Sequence, residues 1–228
     1  MFNLTVITIW KKAQLLEKEY YMKRKHKWES KKAYLSFLKN NFNISYSFFR
    51  GRSILEVGCG LSGLIFYIEE KSLYSIGIDP LIISYIQNNQ LSKRTINSSA
   101  LSLVNAVGEA IPFKDNLFDI VICGNVIDHS LNPNLLLGEI SRVLKHKGFL
   151  ILYLNIFRLP KFLRKGLFWI DQAHPHHFCE KEVIDLLKEN NLKIIFFRRK
   201  RDVLASGLKK KLAPLIGVQV IYLIASKK

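Results

Sequence analysis

Gly58, Gly60 and Gly63, flanked by the carboxylates Glu56 and Asp79, stand at spacings that suit a nucleotide-like ligand. Gly58, Gly60 and Gly63 read G-x-G-x-x-G. Glycine there permits positive φ, removes the Cβ that would block a ligand, and delivers free N–H groups at a helix N-terminus. Asp79 follows roughly 20 residues on, where an acid can bond both hydroxyls of a ribose. This spacing alone permits a dinucleotide. Glu56, two positions before the first glycine, argues otherwise, because a carboxylate repels a pyrophosphate and attracts a cationic amino group.

Positioning these groups takes a strand, a turn, a helix and a second strand. Ser53–Val57 is short and apolar, as a strand inside a parallel sheet is, and Leu64–Glu70 keeps a helix-like apolar face. Strands are expected at 53–57, 74–78, 101–106, 119–123, 148–154, 192–199 and 218–225. Their alternation with helical stretches predicts an α/β protein, a doubly wound Rossmann-like sheet with helices on both faces. Before it, Leu15, Leu16, Tyr20, Tyr34, Leu35 and Leu38 recur at helical spacing across Lys11–Phe42. The expected organisation is a helical N-terminal extension over 1–45 and a ligand-binding domain over 46–228, with an irregular insertion at about 155–178.

Further blocks follow in order: Gly108-Glu-Ala-Ile-Pro-Phe113, Phe118-Asp-Ile-Val121, Asn125-Val-Ile-Asp-His129 with Pro133, Glu139-Ile-Ser-Arg-Val-Leu-Lys145 and Gly148-Phe-Leu-Ile151. With Glu56-Val-Gly-Cys-Gly60 and Asp79, this series resembles the class I S-adenosylmethionine-dependent methyltransferases. The likeness is greatest to the subgroup with the pattern E-x-G-C-G, an acid ending strand two, then E-x-L-P-F and F-D-x-V; it covers roughly residues 50 to 200. It implies a seven-stranded sheet, mostly parallel, with strand seven antiparallel between five and six. The implied cofactor is S-adenosylmethionine. Glu56 would serve its amino acid end through the loop Gly58-Cys59-Gly60, Asp79 the ribose, and Ile78 and Pro80 the flanks of the adenine. Gly108 and Glu109 would line the adenine through backbone contacts, since Val107 stands where the subgroup often has an acid. Asn125 would close the methionine end.

By the same resemblance, the loop after strand four lies near the transferred methyl. His129 could take a proton there, and Asp128 and His129 could equally cap the helix that starts at Asn132-Pro133. His174-Pro-His-His-Phe-Cys179 places three histidines before another helix. His174 or His177 would face the acceptor pocket, or the segment is a turn in which Phe178 packs and a histidine caps. His129, His174 and His177 are thus expected around one cavity at the carboxyl edge of the sheet. No metal is expected: His176 and His177 are adjacent, and no second cluster completes four ligands. Methyl transfer from a sulfonium needs alignment and water exclusion more than a triad.

The insertion Ile156–Ile170 mixes cations with large apolar groups, like an interfacial segment or a lid over an apolar acceptor. Tyr20, Tyr21 or Trp28 could close over a ligand in the same way. The formal net charge of +17 gathers in Lys11–Lys39, Arg158–Lys165 and Arg198–Lys211. Such a field attracts polyanions or an anionic membrane surface, or is simply solvated. Phe149–Phe157 is too short to span a bilayer and Leu212–Ala225 is broken by Pro214 and Gly217. Met1–Trp10 precedes the lysines, the reverse of a secretory signal. Cys59, Cys123 and Cys179 form no C-x-x-C pair and read as reduced thiols. A cytoplasmic place is expected, with membrane-peripheral contact as the alternative.

The leading function is methyl transfer to a small-molecule or lipid- or glycan-linked acceptor. An RNA-binding methyltransferase is the second class, ranked lower because no RNA-binding motif or N-P-P-Y-type tetrapeptide is present. A non-catalytic partner subunit is the third. Oligomeric state is not legible.

Overall fold

The computed structural model describes residues 4–23, 30–68, 72–88, 91, 101–164, 174–201 and 217–228. Two helices come first, α1 (Leu4–Lys23) and α2 (Lys31–Phe42). They cover most of the stretch Lys11–Phe42 that was expected to be helical in character. Ser30 caps α2 by accepting the Ala33 N–H at its side chain, and Asn43 ends it in the left-handed conformation.

The sheet comprises β1 (Ser53–Val57), β2 (Tyr74–Ile78), β3 (Leu101–Val104), β4 (Phe118–Gly124), β5 (Leu144–Ile156), β6 (Leu192–Arg201) and β7 (Gln219–Lys227). Their order is β3-β2-β1-β4-β5-β7-β6. Strands β1 to β5 run parallel, and β7 is antiparallel to both neighbours. The expected doubly wound, mostly parallel seven-stranded sheet with strand seven between five and six is what the chain forms. β3 stops two residues short of the expected end. β5 begins earlier than expected because Leu144 pairs with Phe118 across an irregularity before Ile120.

Helices α3 (Ile65–Ile68), α4 (Ile82–Gln87), α5 (Pro133–Val143), α6 (Lys161–Arg164) and α7 (Glu180–Glu189) connect the strands. Alternate residues feed two cores, one on each face. Leu55, Val121, Leu150 and Leu223 pack with Leu137 and Ile140 of α5 and Val183 and Leu187 of α7. Ile54, Ile120, Ile151 and Ile224 pack with Leu38 and Phe42 of α2, Ile65 of α3 and Tyr85 of α4. Complete burial of such an aliphatic side chain is worth about 1.5–3 kcal/mol. The strictly alternating Ile54/Leu55 and Ile120/Val121 pairs therefore secure the register that brings the ends of β1, β2 and β4 to one edge.

Two polar networks hold the rest. Asp119 accepts the Ser53 N–H (2.9 Å) and hydroxyl (2.6 Å) and the Lys145 ammonium (2.8 Å), tying the starts of β1, β4 and β5 together. Arg142 on α5 donates to Glu139, Asp115 and the carbonyls of Ile111 and Phe113. Glu139 in turn accepts the Ile111 N–H. The Glu139–Arg142 block thus acts by fixing the long loop between β3 and β4. Among the described residues no helix is long and apolar enough to cross a membrane.

Candidate functional site

Glu56 is 2% exposed on β1, and its carboxylate accepts the N–H groups of Leu64 (3.0 Å) and Ile65 (2.7 Å). It therefore occupies the inside of the glycine turn and satisfies donors that open α3. Burial is the main force on its acidity, pushing its pKa up to about 8 against the two N–H bonds, with nearby Asp79 adding to the rise.

Gly58 and Gly60 adopt positive φ (69° and 49°). A Cβ at Gly58 would also lie 2.3 Å from Val126 Cγ2, so the turn is pressed against the loop that follows β4. Cys59 is buried, and its Sγ would meet a Cβ at Gly77, so only its backbone faces the turn. The N–H groups of Gly58 and Cys59 reach the Ile78 carbonyl at 2.8 and 3.1 Å, joining the turn to the end of β2.

Asp79 is 7% exposed and accepts from Gly60 N–H (3.0 Å) and Leu81 N–H (2.8 Å), one on each oxygen. Burial pushes its pKa up to about 6, opposed by the Leu81 bond and helped by the Glu17 charge. Each carboxylate oxygen retains acceptor capacity toward a ligand. Pro80 follows it, half-buried.

Gly108 is held tightly, since a Cβ there would meet Leu136 and Val57 at 2.7 and 2.9 Å. Glu109 accepts the N–H groups of Leu131 and Asn132, just ahead of α5, so its carboxylate braces the loop after β4. Asn132 itself caps α5 through Asn134 and Leu135. The capping role open to Asp128 and His129 is thereby taken by Asn132. Asn125 is exposed in the left-handed region (φ 51°), its N–H on the Tyr153 carbonyl at 2.8 Å.

Asp128 is 3% exposed, and its Oδ1 has no hydrogen-bond partner among the described residues. Its Oδ2 stands 3.9 Å from His174 Nε2. The His129 and His174 rings lie 4.3 Å apart, and ligand-type atoms of Asp128, His129 and His174 all fall within 4.8 Å of one another. The fold thus brings Asp128 and His129 to His174 of the histidine segment, a group of three ligand-type residues. His176 makes the junction: its N–H reaches the Asp128 carbonyl (3.1 Å) and its Nε2 the Ser130 carbonyl (2.9 Å). Burial holds the His176 pKa below its ordinary value. His177 is placed differently, with its ring edge-on to Phe157 at 5.1 Å and its carbonyl accepting from Arg164.

Several site residues escaped the sequence reading. Glu17 of α1 lies 3.8 Å from His129 Nδ1. Tyr34 of α2 donates to the Ser62 carbonyl (2.7 Å) and stacks on Tyr67, so the N-terminal helices dock at the glycine turn. Arg164 is buried and forks onto Glu182 of α7, which also accepts the Cys179 N–H at 2.9 Å. That clamp leaves Phe162 and Leu163 outward, 72% and 50% exposed. Apart from the Cys179–Glu182 capping contact, these pairs join residues distant in sequence and have no local signature. The side chains of Tyr20 and Tyr21, and Trp28, lie outside the described residues.

Comparison with known proteins agrees with this geometry. The family described as "Methyltransferase domain" matches residues 55–152. An uncharacterized protein of Methanocaldococcus jannaschii is 38% identical over 98 residues, 43% of this chain and 38% of that one. An uncharacterized methyltransferase of Mycolicibacterium gilvum is 30% identical over 111 residues, 49% of this chain and 42% of its own length. The matches thus span less than half of these curated relatives. Among solved structures, geranyl diphosphate C-methyltransferase from Streptomyces coelicolor, in complex with Mg2+, geranyl diphosphate and S-adenosylhomocysteine, superposes with a TM-score of 0.68. Its identity is 13%, with 86% of this chain and 77% of that chain covered. At that identity the likeness speaks for the fold. Fold, glycine turn and family match together support the class I S-adenosylmethionine-dependent methyltransferase superfamily for residues 55–152.

Proposed function

We propose that this chain is an S-adenosylmethionine-dependent methyltransferase whose acceptor is a small molecule or a lipid- or glycan-linked intermediate. The observation that carries it is the turn between two buried acids. Gly58 and Gly60 hold the turn at positive φ against the ends of β2 and β4, Glu56 beneath them becomes ionised when a cationic amino group arrives, and Asp79 beside them keeps lone pairs for ribose hydroxyls. In this reading Ile78 and Pro80 flank the adenine, the Gly108–Glu109 backbone lines it, and Asn125 closes the amino acid end.

The sulfonium is already an activated electrophile, so the chain has to align the acceptor and keep water away. Asp128, His129 and His174 form the polar end of the acceptor site, orienting or deprotonating its nucleophile, and His177 with Phe157 forms the wall behind. Residues 1–45 act as a lid on the domain formed by 46–228. The docking of Tyr34 on Ser62 and the approach of Glu17 to His129 support that role. Phe162 and Leu163 favour a partly apolar acceptor. The solved neighbour that holds geranyl diphosphate supports the same class.

Labelled S-adenosylmethionine incubated with the protein and a fractionated cell extract tests this. Label entering the lipid or small-molecule fraction is expected; label confined to RNA or protein, or no transfer at all, overturns it.

A further inference from the structure

We propose that Asp128, His129 and His174 form a binding site for a divalent first-row transition cation. Two imidazoles and one carboxylate, delivered from two different loops, converge within 4.8 Å. Ligand bonds of about 2.0–2.2 Å set neighbouring donors roughly 3.4 Å apart in a tetrahedral shell. The 3.9 Å between Asp128 Oδ2 and His174 Nε2 is therefore a small contraction away from coordination.

The electrostatics point the same way. Asp128 is 3% exposed, Oδ1 lacks a hydrogen-bond partner, and no lysine or arginine among the described residues lies in ion-pair distance of it. The Nδ1 of His129 is also buried without a hydrogen bond. Glu17 adds a second carboxylate beside that ring. In a chain with a formal net charge of +17, this pocket leaves Asp128 Oδ1 and His129 Nδ1 without hydrogen-bond partners among the described residues. A bound cation compensates the buried Asp128 carboxylate, which is costly to leave unpaired.

The donor set also selects the ion. Two imidazoles with one carboxylate suit Zn2+, Co2+ or Fe2+, while Mg2+ and Ca2+ prefer all-oxygen shells. His176 holds the two loops together through the carbonyls of Asp128 and Ser130, which preforms the site. An ion here would hold an acceptor through an oxygen donor. That last role rests on the methyl-transfer reading; ion binding does not.

Tag-free protein stripped with chelator is titrated calorimetrically with Zn2+, and separately with Co2+ followed by its visible absorption. One ion per chain is expected, with a Co2+ spectrum showing nitrogen and oxygen ligation. His129→Ala and His174→Ala should each weaken binding at least tenfold, while His146→Ala, on the exposed ring near Lys228, leaves it unchanged. Circular dichroism and thermal unfolding confirm that each variant is folded, and Asp128→Asn provides a near-isosteric check. The proposal is overturned by absent stoichiometric binding at micromolar ion, or by folded His129 and His174 variants that retain wild-type affinity. Because the readout is ion binding, its failure leaves methyl transfer standing.

Discussion

Glu56 fills the space that a side chain at position 63 would need: a Cβ on Gly63 would lie 2.5 Å from Glu56 Oε2 and 2.7 Å from the Cys59 carbonyl. The third glycine of the motif therefore makes room for a protein carboxylate, and its backbone has no positive φ to explain. Gly63→Ala should destabilise the fold by roughly 1–3 kcal/mol, the usual cost of overpacking. Urea unfolding measures it. In a Glu56→Asp background, whose shorter side chain recedes, the cost should shrink, and strict additivity of the two changes would rule out the contact.

The raised acidity constant of Glu56 makes a pH prediction with a definite sign. The folded chain keeps this proton up to about pH 8, while the unfolded chain releases it near its ordinary 4.5. Its contribution to stability is therefore full below about pH 4.5 and declines as pH climbs toward 8. A cationic amino group arriving nearby favours the ionised form. Binding of S-adenosylmethionine at pH 7 should thus release protons, seen as a calorimetric enthalpy that depends on the buffer's ionisation heat. Glu56→Gln should abolish the release.

Asp79→Ala should weaken cofactor binding by about 1.5–3 kcal/mol, the range for hydrogen bonds to a charged group. The same change orphans the N–H groups of Gly60 and Leu81, so some loss of stability accompanies it. Unaltered affinity in the folded variant would place the ribose elsewhere. NAD should bind to neither form.

How much of this was legible follows from where each signal resides. β1 and β2 fell on their expected residues because both are short apolar runs, fully buried in β1 and mostly so in β2, bounded by glycine or proline turns. The acids of the glycine turn were also readable, since motif spacing is local. The Glu109 brace on Leu131, the Arg164–Glu182 clamp and the approach of Glu17 to His129 were not. Each depends on tertiary packing between segments with no shared periodicity. The histidine segment shows the difference most sharply: His174 meets Asp128 and His129 of the loop after β4, residues 45 or more positions away in sequence.

The exposed pair Phe162 and Leu163, held outward by buried Arg164, leads to a surface prediction. Binding to phosphatidylserine vesicles is expected, falling as salt is added because exposed charges are screened within about a Debye length. Phe162→Ser with Leu163→Ser should reduce it further. Cosedimentation measures both effects, and an absence of binding at physiological ionic strength would leave these side chains to the acceptor alone.

The placement of β7 also governs how this chain is made. It pairs with β5 on one side and β6 on the other, yet it is synthesised after both. On the ribosome, β5 therefore waits with an open edge bearing Phe149-Leu-Ile-Leu-Tyr-Leu154, an apolar run prone to pair with other chains. The outer edge of β6 ends in Arg198-Arg-Lys-Arg201, whose like charges repel a second copy. Once β7 has joined β5 to β6, these lysines and arginines guard the edge that remains.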